Sequence, residues 1–312
     1  MTETPNLETP TAARSRTAAT PDRAAPLKIA VPNKGRLSEQ CLDLFTRAGI
    51  RLDYSHERKL FAEAREGRIK VLFLRAQDIP EFVADGVAHL GVTGHDIIAE
   101  SGRPLDELID LGFGSCRLVL AVPEESPIRT VEDLPKRVTC ATSFPALTKA
   151  WFEARKVEAR VIPVSGATEI TPHLGIADVI TDLTSTGSTL VMNGLREVDT
   201  LLRSSARLVA TPGLGDGSMG REIEEFVFAL RSVIAARGKR YLLADVPRTV
   251  LDEIRAFLPG IAGPTVVDVI GDEDMVAIHV VVDEAIIYDA VARLKRIGAR
   301  GILVMPIDRM VA

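Results

Sequence analysis

From Leu27 to Lys239 short apolar strands alternate with amphipathic helices, and no other feature limits the possible folds so tightly. "LKIAVP" (27–32) reads as a strand, and "SEQCLDLFTRAG" (38–49) as a helix with Ser38 as its cap and Gly49 as its stop. Strands follow in "IKVLFLR", "HLGVTG", "RLVLAVP", "RVTCAT" and "ARVIPVSG", with "VEDLP" as a turn. Helices are read in "DIPEFVADG", "FPALTKAWFEARK", "TEITPHLGIA" and the long "GREIEEFVFALRSVIAARGK" (220–239). Strand and helix in alternation predict parallel sheets covered by helices, an α/β class. Ligands of such sheets bind beyond the carboxyl ends of the strands. Four stretches sit there: "PNKGR" (32–36), "LRAQD" (74–78), "GVTGHD" (91–96) and "DLTSTGST" (182–189).

After Lys239 the rhythm becomes βαββαβ. "RYLLADVP" is a strand, "RTVLDEIRAFLP" a helix, "TVVDVI" and "MVAIHVVVD" strands, "EAIIYDAVARLKRIGA" a helix and "RGILVMPID" a last strand. That order predicts a ferredoxin-like domain beginning near Gly238. At about 70 residues it would gain from packing on a partner surface. The first 26 residues, rich in Thr, Ala and Pro, cannot bury enough apolar surface to order themselves and read as a disordered tail. They also lack the apolar segment of a secretory signal.

Composition narrows the function. A net charge of −5, with no basic stripe, argues against broad nucleic-acid affinity. No apolar run approaches the ~20 residues of a membrane span. Cys41, Cys116 and Cys140 form no CxxC pair and read as reduced thiols of a cytoplasmic protein. The five histidines form no zinc-binding pair.

"VITDLTSTGSTL" (179–190) runs a strand into an acid, a cluster of hydroxyls and one glycine. Neither a Walker loop nor a dinucleotide fingerprint fits. A strand-to-helix turn of small hydroxyl residues suits a sugar phosphate. Backbone N–H groups from Ser185 to Thr189, with Gly187 among them, and the hydroxyls of Thr184, Ser185, Thr186, Ser188 and Thr189 can surround a monoester. Asp182 then lies about where a ribose diol would. The plainer alternative is a capped helix in which these groups satisfy only the turn.

"EITPHLGIADVITDLTSTGSTL" (169–190) resembles the signature of the ATP phosphoribosyltransferases. "AVPNKGRLSE", "RKLF", "FLRAQDIPEFVADG", "LGVTGHDII", "LGFGSCRLVLAVP", "MNGLREVDTLLRSSARLVA" and "LPGIAGPTVVDV" are similar to stretches of the family's long form, from Leu27 to the end. The resemblance implies two periplasmic-binding-protein-like lobes around a cleft, then a ferredoxin-like regulatory domain. The expected division is a tail at 1–26, lobe I at 27–115 and 205–238, lobe II at 116–204 and the regulatory domain at 239–312. The implied reaction moves phosphoribosyl from phosphoribosyl pyrophosphate to N1 of ATP, the first step of histidine biosynthesis, with Mg²⁺ as cofactor and metal ligands unassigned. Asp182 to Thr189 match the site for the ribose and its 5-phosphate, and Glu169 falls within the signature. Lys34, Arg36, Arg58 and its neighbour Lys59, and Arg75 match cationic positions for the pyrophosphate; Asp78, Thr93 and Gly94 complete the cleft. Histidine is the implied inhibitor, for which Asp245 would supply an anion and the Gly263–Thr265 turn polar contacts. A homo-oligomer, dimer to hexamer, is implied as well. Met275 stands where the family commonly has tryptophan, and "AGPTV" (262–266) replaces "ESPTV". The rival readings are a non-enzymatic two-lobed binding protein and a phosphoribosyltransferase with another acceptor base.

Overall fold

The computed structural model describes residues 25–53, 60–214, 219–261 and 263–311. Nearly all of the stretch read as a disordered tail lies outside them, as do Arg58 and Lys59. The first lobe is laid down by β1 (Leu27–Pro32), α1 (Arg36–Arg47), β2 (Phe61–Ala64), β3 (Ile69–Leu74), α2 (Ile79–Ala84), β4 (Leu90–Gly94), α3 (His95–Ser101) and β5 (Asp106–Asp110). The second holds β6 (Cys116–Pro123), β7 (Arg137–Thr142), α4 (Pro145–Ala154), β8 (Glu158–Pro163), β9 (Val179–Thr184), α5 (Ser188–Met192) and β10 (Leu195–Ser204). The chain then returns to the first lobe with β11 (Ala206–Ala210) and α6 (Gly220–Ala236).

Apart from Lys28, β1 is apolar along its length because helices cover both faces of its sheet. Ile29 and Val31 pack with Cys41, Leu44 and Phe45 of α1, whose apolar residues recur at helical spacing. Ala30 faces Ile79 and Val83 of α2 instead. Phe45 meets Phe226 of α6 edge to face, with ring centres 5.4 Å apart. The three thiols are free, with Cys41 and Cys140 buried.

The sheets are mixed, not parallel as alternation predicts. Their orders are β2-β3-β1-β4-β11-β5 and β10-β6-β9-β7-β8. β1 runs parallel to β3 and β4, and β7 parallel to β8 and β9. The antiparallel pairs have two causes. β2 and β3 form a hairpin closed by left-handed residues at Arg65, Glu66 and Gly67. β6 and β11 each enter their sheet from the other lobe, so they begin at the edge where their neighbours end. With its two crossovers, between β5 and β6 and between β10 and β11, the chain adopts the two-lobed periplasmic-binding-protein-like fold.

Local expectations fail where a glycine or proline intervenes. α1 starts at Arg36 because Gly35, at φ 79°, turns the chain from β1 directly into the helix; Ser38 lies buried inside it and is not the cap. "TEITPHLGIA" is only a 3₁₀ turn at Thr168–Ile170 followed by turns, since Pro172 and the left-handed Gly175 prevent a helix from continuing. "LRSSARLVA" spans the end of β10 and all of β11. β2, α3 and β5 carry too few periodic residues to be read from sequence.

Beyond Gly238 come β12 (Lys239–Pro247), α7 (Leu251–Phe257), β13 (Thr265–Val269), β14 (Asp272–Asp283), α8 (Ile287–Arg296) and β15 (Arg300–Pro306). They form an antiparallel sheet in the order β13-β14-β12-β15, the ferredoxin-like arrangement. Leu242, Ala244 and Val246 face the helices and pack with Ile254, Leu258, Ala290 and Leu294. The alternate residues of β12, including Asp245, point to the other face. After β15 the chain comes back to the first lobe: Met310 N–H donates to the Ser232 carbonyl at 2.8 Å and Arg309 Nε to Ser232 Oγ at 2.9 Å. No helix among the described residues is long and apolar enough to cross a membrane.

Candidate active site

The parallel strands β1, β3 and β4 of the first sheet end at Pro32, Leu74 and Gly94, and β9 of the second at Thr184. Where the crossovers pass, a hollow of about 450 Å³ is lined by Asp110, Arg117, Ser185, Arg203, Ser205 and Arg207. Its cations come from both lobes: Arg117 is paired with Glu197 and Arg207 with Asp110 and Glu107.

The loop after β9 is held from below. Thr142, Thr148 and Thr181, all fully buried, share hydroxyl hydrogen bonds that pin β7 and β9 to α4; Thr181 and Thr142 lie 2.7 Å apart. Asp182 follows at once. Burial pushes its carboxyl above the ordinary value and the charge of nearby Glu169 adds to this, while the Leu183 N–H, donating to Oδ1 at 2.8 Å, opposes it. Thr184 is buried, and its hydroxyl accepts the Gly187 N–H at 2.8 Å. Thr186 and Ser188 share a hydroxyl hydrogen bond at 2.8 Å, and Thr186 Oγ1 also accepts the Ser188 N–H at 3.4 Å. The expectation that all N–H groups from Ser185 to Thr189 stand bare is therefore too generous: two are occupied by the loop's own hydroxyls. Ser185 and Thr189 are exposed. Gly187, at φ 82°, makes the turn into α5.

On the first lobe Lys34, Arg36, Arg75 and Asp78 are exposed at the ends of β1 and β3, as placed from sequence. Thr93 is different. It is fully buried, and its hydroxyl donates to the Ala76 carbonyl at 3.0 Å, so its side chain braces the 76–78 turn and does not face the cleft. Gly94 serves Asp96, a buried acid the sequence reading passed over. Ser204 Oγ donates to Asp96 Oδ1 at 2.5 Å and accepts the Asp96 N–H at 3.0 Å, joining α3 to the end of β10 across the crossover. Four residues on, the Glu100 carboxylate accepts the Ala146 and Leu147 N–H groups of α4 at 2.8 and 2.9 Å. One short helix of the first lobe is thus bonded to two elements of the second. A Cβ at Gly94 would stand 2.2 Å from Asp96 Oδ1. Gly94→Ala must push that carboxylate off Ser204, and urea denaturation should show a loss of about 1–3 kcal/mol; an unchanged midpoint would mean that the hydrogen bond is dispensable.

Residues 75–232 match the family described as ATP phosphoribosyltransferase, and residues 236–309 the one described as HisG, C-terminal domain. An ATP phosphoribosyltransferase of Gemmatimonas aurantiaca is 54% identical over 291 residues, spanning 91% of this chain and 99% of that one. That of Methanothermobacter thermautotrophicus is 47% identical over 285 residues, with 91% and 99% covered. The chain belongs to the ATP phosphoribosyltransferase family. A solved chain of the ATP phosphoribosyl transferase (HisG:HisZ) complex from Thermotoga maritima superposes with a TM-score of 0.59 at 28% identity, covering 67% of this chain and 98% of that one. The protein is therefore a phosphoribosyltransferase of histidine biosynthesis.

In this phosphoribosyltransferase, Asp245 and Thr265 share the face of the C-terminal sheet that α7 and α8 leave open. Thr265 pairs with His279, His279 with Leu243, and Asp245 lies two residues further along β12, opposite Ala277. Thr265 opens on a hollow of about 340 Å³ together with Tyr241, Ile261, Gly263 and His279. Tyr241 Oη and His279 Nδ1 are hydrogen-bonded there. Asp245 lies outside this hollow, its Oδ2 3.2 Å from where a Cβ on Gly301 would be. His279, in the strand "MVAIHVVVD", is half-buried on the open face. His173, read as a helix residue, is exposed in the turn after Ile170 with Nε2 2.7 Å from the Asn193 carbonyl. Arg117, Glu197, Arg203 and Arg207 were missed as well: their stretches are matched motifs, but nothing within the sequence says that they share a cleft.

Proposed function

We propose that the protein joins N1 of ATP's adenine to C1 of phosphoribosyl pyrophosphate, releasing pyrophosphate, and that the residue 182–189 loop holds the phosphoribosyl group. The observation that supports this is the acid-and-hydroxyl loop at the carboxyl end of β9, with Ser185 and Thr189 exposed, in a chain whose first lobe carries exposed Lys34, Arg36 and Arg75 at the ends of β1 and β3. Adenine N1 already has a lone pair, so no activated serine or cysteine is needed. What the reaction needs is alignment of N1 with C1 and stabilisation of a cationic sugar and a departing polyanion. Ser185, Thr189 and the remaining free loop N–H groups would take the 5-phosphate, and the Asp182 carboxylate would accept from the ribose hydroxyls. Lys34, Arg36 and Arg75 would meet the pyrophosphate, joined by Arg58, whose role rests on the family resemblance. Asp78 and Gly94 would bound the acceptor side.

Mg²⁺ fits as an ion carried in by the diphosphate. No group of three or more His, Cys, Asp or Glu side chains among the described residues could cage a cation unaided. Asp182 and Glu169 nevertheless lie close enough to interact, and paired carboxylates with substrate phosphates suit a hard cation. When bound, Mg²⁺ supplies charge neutralisation of the leaving pyrophosphate. Asp182 and Glu169 would hold it.

The same reading makes the C-terminal domain a histidine sensor in a cytoplasmic homo-oligomer. The Thr265 hollow offers polar atoms and an aromatic wall, and Asp245 an anion on the same face.

Formation of phosphoribosyl-ATP from ATP, phosphoribosyl pyrophosphate and Mg²⁺ by the purified protein tests the chemistry, and transfer to another base instead would overturn it. For the loop, Thr189→Leu should raise the dissociation constant for phosphoribosyl pyrophosphate about tenfold to a hundredfold while the protein stays folded, since a charge-assisted hydrogen bond is worth about 1.5–3 kcal/mol. Unchanged affinity in the folded variant would return the loop to a capped turn.

A further inference from the structure

We propose that Arg117 and Glu197 form a charge-balancing pair beneath the phosphate loop, and that Arg117 allows a loop seated on a carboxylate to accept a phosphate. This rests on the reading of residues 182–189 as the phosphoribosyl site. Glu197, on β10, lies directly against the turn: a Cβ at Gly187 would stand 3.0 Å from Glu197 Oε1. An uncompensated carboxylate against the turn would repel a phosphate bound by the loop.

Arg117, on β6, supplies the compensation. Its Nη1 donates to Glu197 Oε2 at 2.7 Å and its Nη2 to Oε1 at 3.0 Å, two parallel bonds that fix the guanidinium in place. The side chains are 27% and 29% exposed, so the charges are less screened than those of an open surface pair. Arg117 also stands opposite Thr184 in the β6–β9 register and lines the same hollow as Ser185. It is a positioning residue: it neutralises the Glu197 carboxylate that lies against the Gly187 turn.

Removing one charge and removing both should have opposite consequences. Arg117→Met leaves Glu197 uncompensated, and the KM for phosphoribosyl pyrophosphate should rise about tenfold or more while that for ATP moves less than about threefold. Arg117→Met combined with Glu197→Gln removes the repulsion as well and should recover most of the loss, although the ion pair is still gone. A bond that merely joined β6 to β10 would leave the double variant at least as impaired as Arg117→Met. An undiminished defect in the double variant, or a parallel rise of both KM values, overturns the proposal. If Arg117→Met does not fold, Glu197→Gln alone decides. It keeps the shape and removes the charge, so KM for phosphoribosyl pyrophosphate should hold or fall, and a tenfold rise would refute the idea. Thr189→Leu, run alongside, keeps the two readings apart. No effect of Thr189→Leu on phosphoribosyl pyrophosphate sinks the loop assignment and this proposal with it; a clear effect there with a silent Arg117 series sinks this proposal alone.

Discussion

Asp182→Asn is expected to stabilise the fold and to impair the reaction. The native carboxyl sits above its ordinary pKa, chiefly through burial and further through Glu169. An acid of this kind costs stability whenever it is ionised in the folded state, because the unfolded chain ionises it freely in water. Asparagine removes that cost and keeps an oxygen for the Leu183 N–H. The variant's advantage should be full at neutral pH, shrink as pH falls from the raised pKa towards the ordinary value of 3.8, and vanish below it. Activity should move the other way. A neutral amide accepts more weakly from ribose hydroxyls, and losing a charge-assisted hydrogen bond of about 1.5–3 kcal/mol predicts a fall in kcat/KM of about tenfold to a hundredfold. Thermal melts from pH 4 to 8 and steady-state kinetics measure both. A variant that is no more stable at neutral pH refutes the burial cost, and one that keeps its kcat/KM removes the carboxylate from the ribose.

Asp245→Ala is expected to abolish inhibition by histidine and to leave turnover intact. The ammonium of a bound amino acid needs an anion, and Asp245 provides one on the open face of the sheet that also carries Thr265. Inhibition at a distance requires that histidine favour one arrangement of the protein over another, so a variant that cannot bind it loses the effect completely. The substitution should fold: Asp245 is only half-buried, and its carboxylate faces a glycine, Gly301. The catalytic lobes remain untouched, and their activity at ordinary substrate concentrations is the control. An Asp245→Ala enzyme still fully inhibited by histidine would place the effector elsewhere; the hollow at Tyr241, Gly263 and Thr265 would be the next place to look.

The loop after β9 shows how far a local reading reaches. Its strand, acid, hydroxyls and glycine are neighbours in the chain, so their chemistry could be read together. The division of labour among the hydroxyls could not. Thr184 and Thr186 look alike in the sequence, yet one is buried and closes the turn while the other is exposed and pairs with Ser188. Burial depends on what lies beneath, and beneath this loop lies Glu197 of β10.

The sequence by itself determined where most strands and helices lie, the βαββαβ order of the last domain, and the acid-and-hydroxyl turn after β9. Each follows from periodicity, caps and turn residues within a few positions of one another. Tertiary structure decided which way the strands run, because β6 and β11 start from the crossovers and so enter their sheets at the cleft edge. It also decided which charges meet. Asp96 and Ser204 are 108 residues apart, and Arg117 and Glu197 80 apart. No local pattern encodes such pairs: Arg117 and Glu197 meet only once β6 and β10 pair within one sheet, and Asp96 and Ser204 only once the two lobes stand side by side.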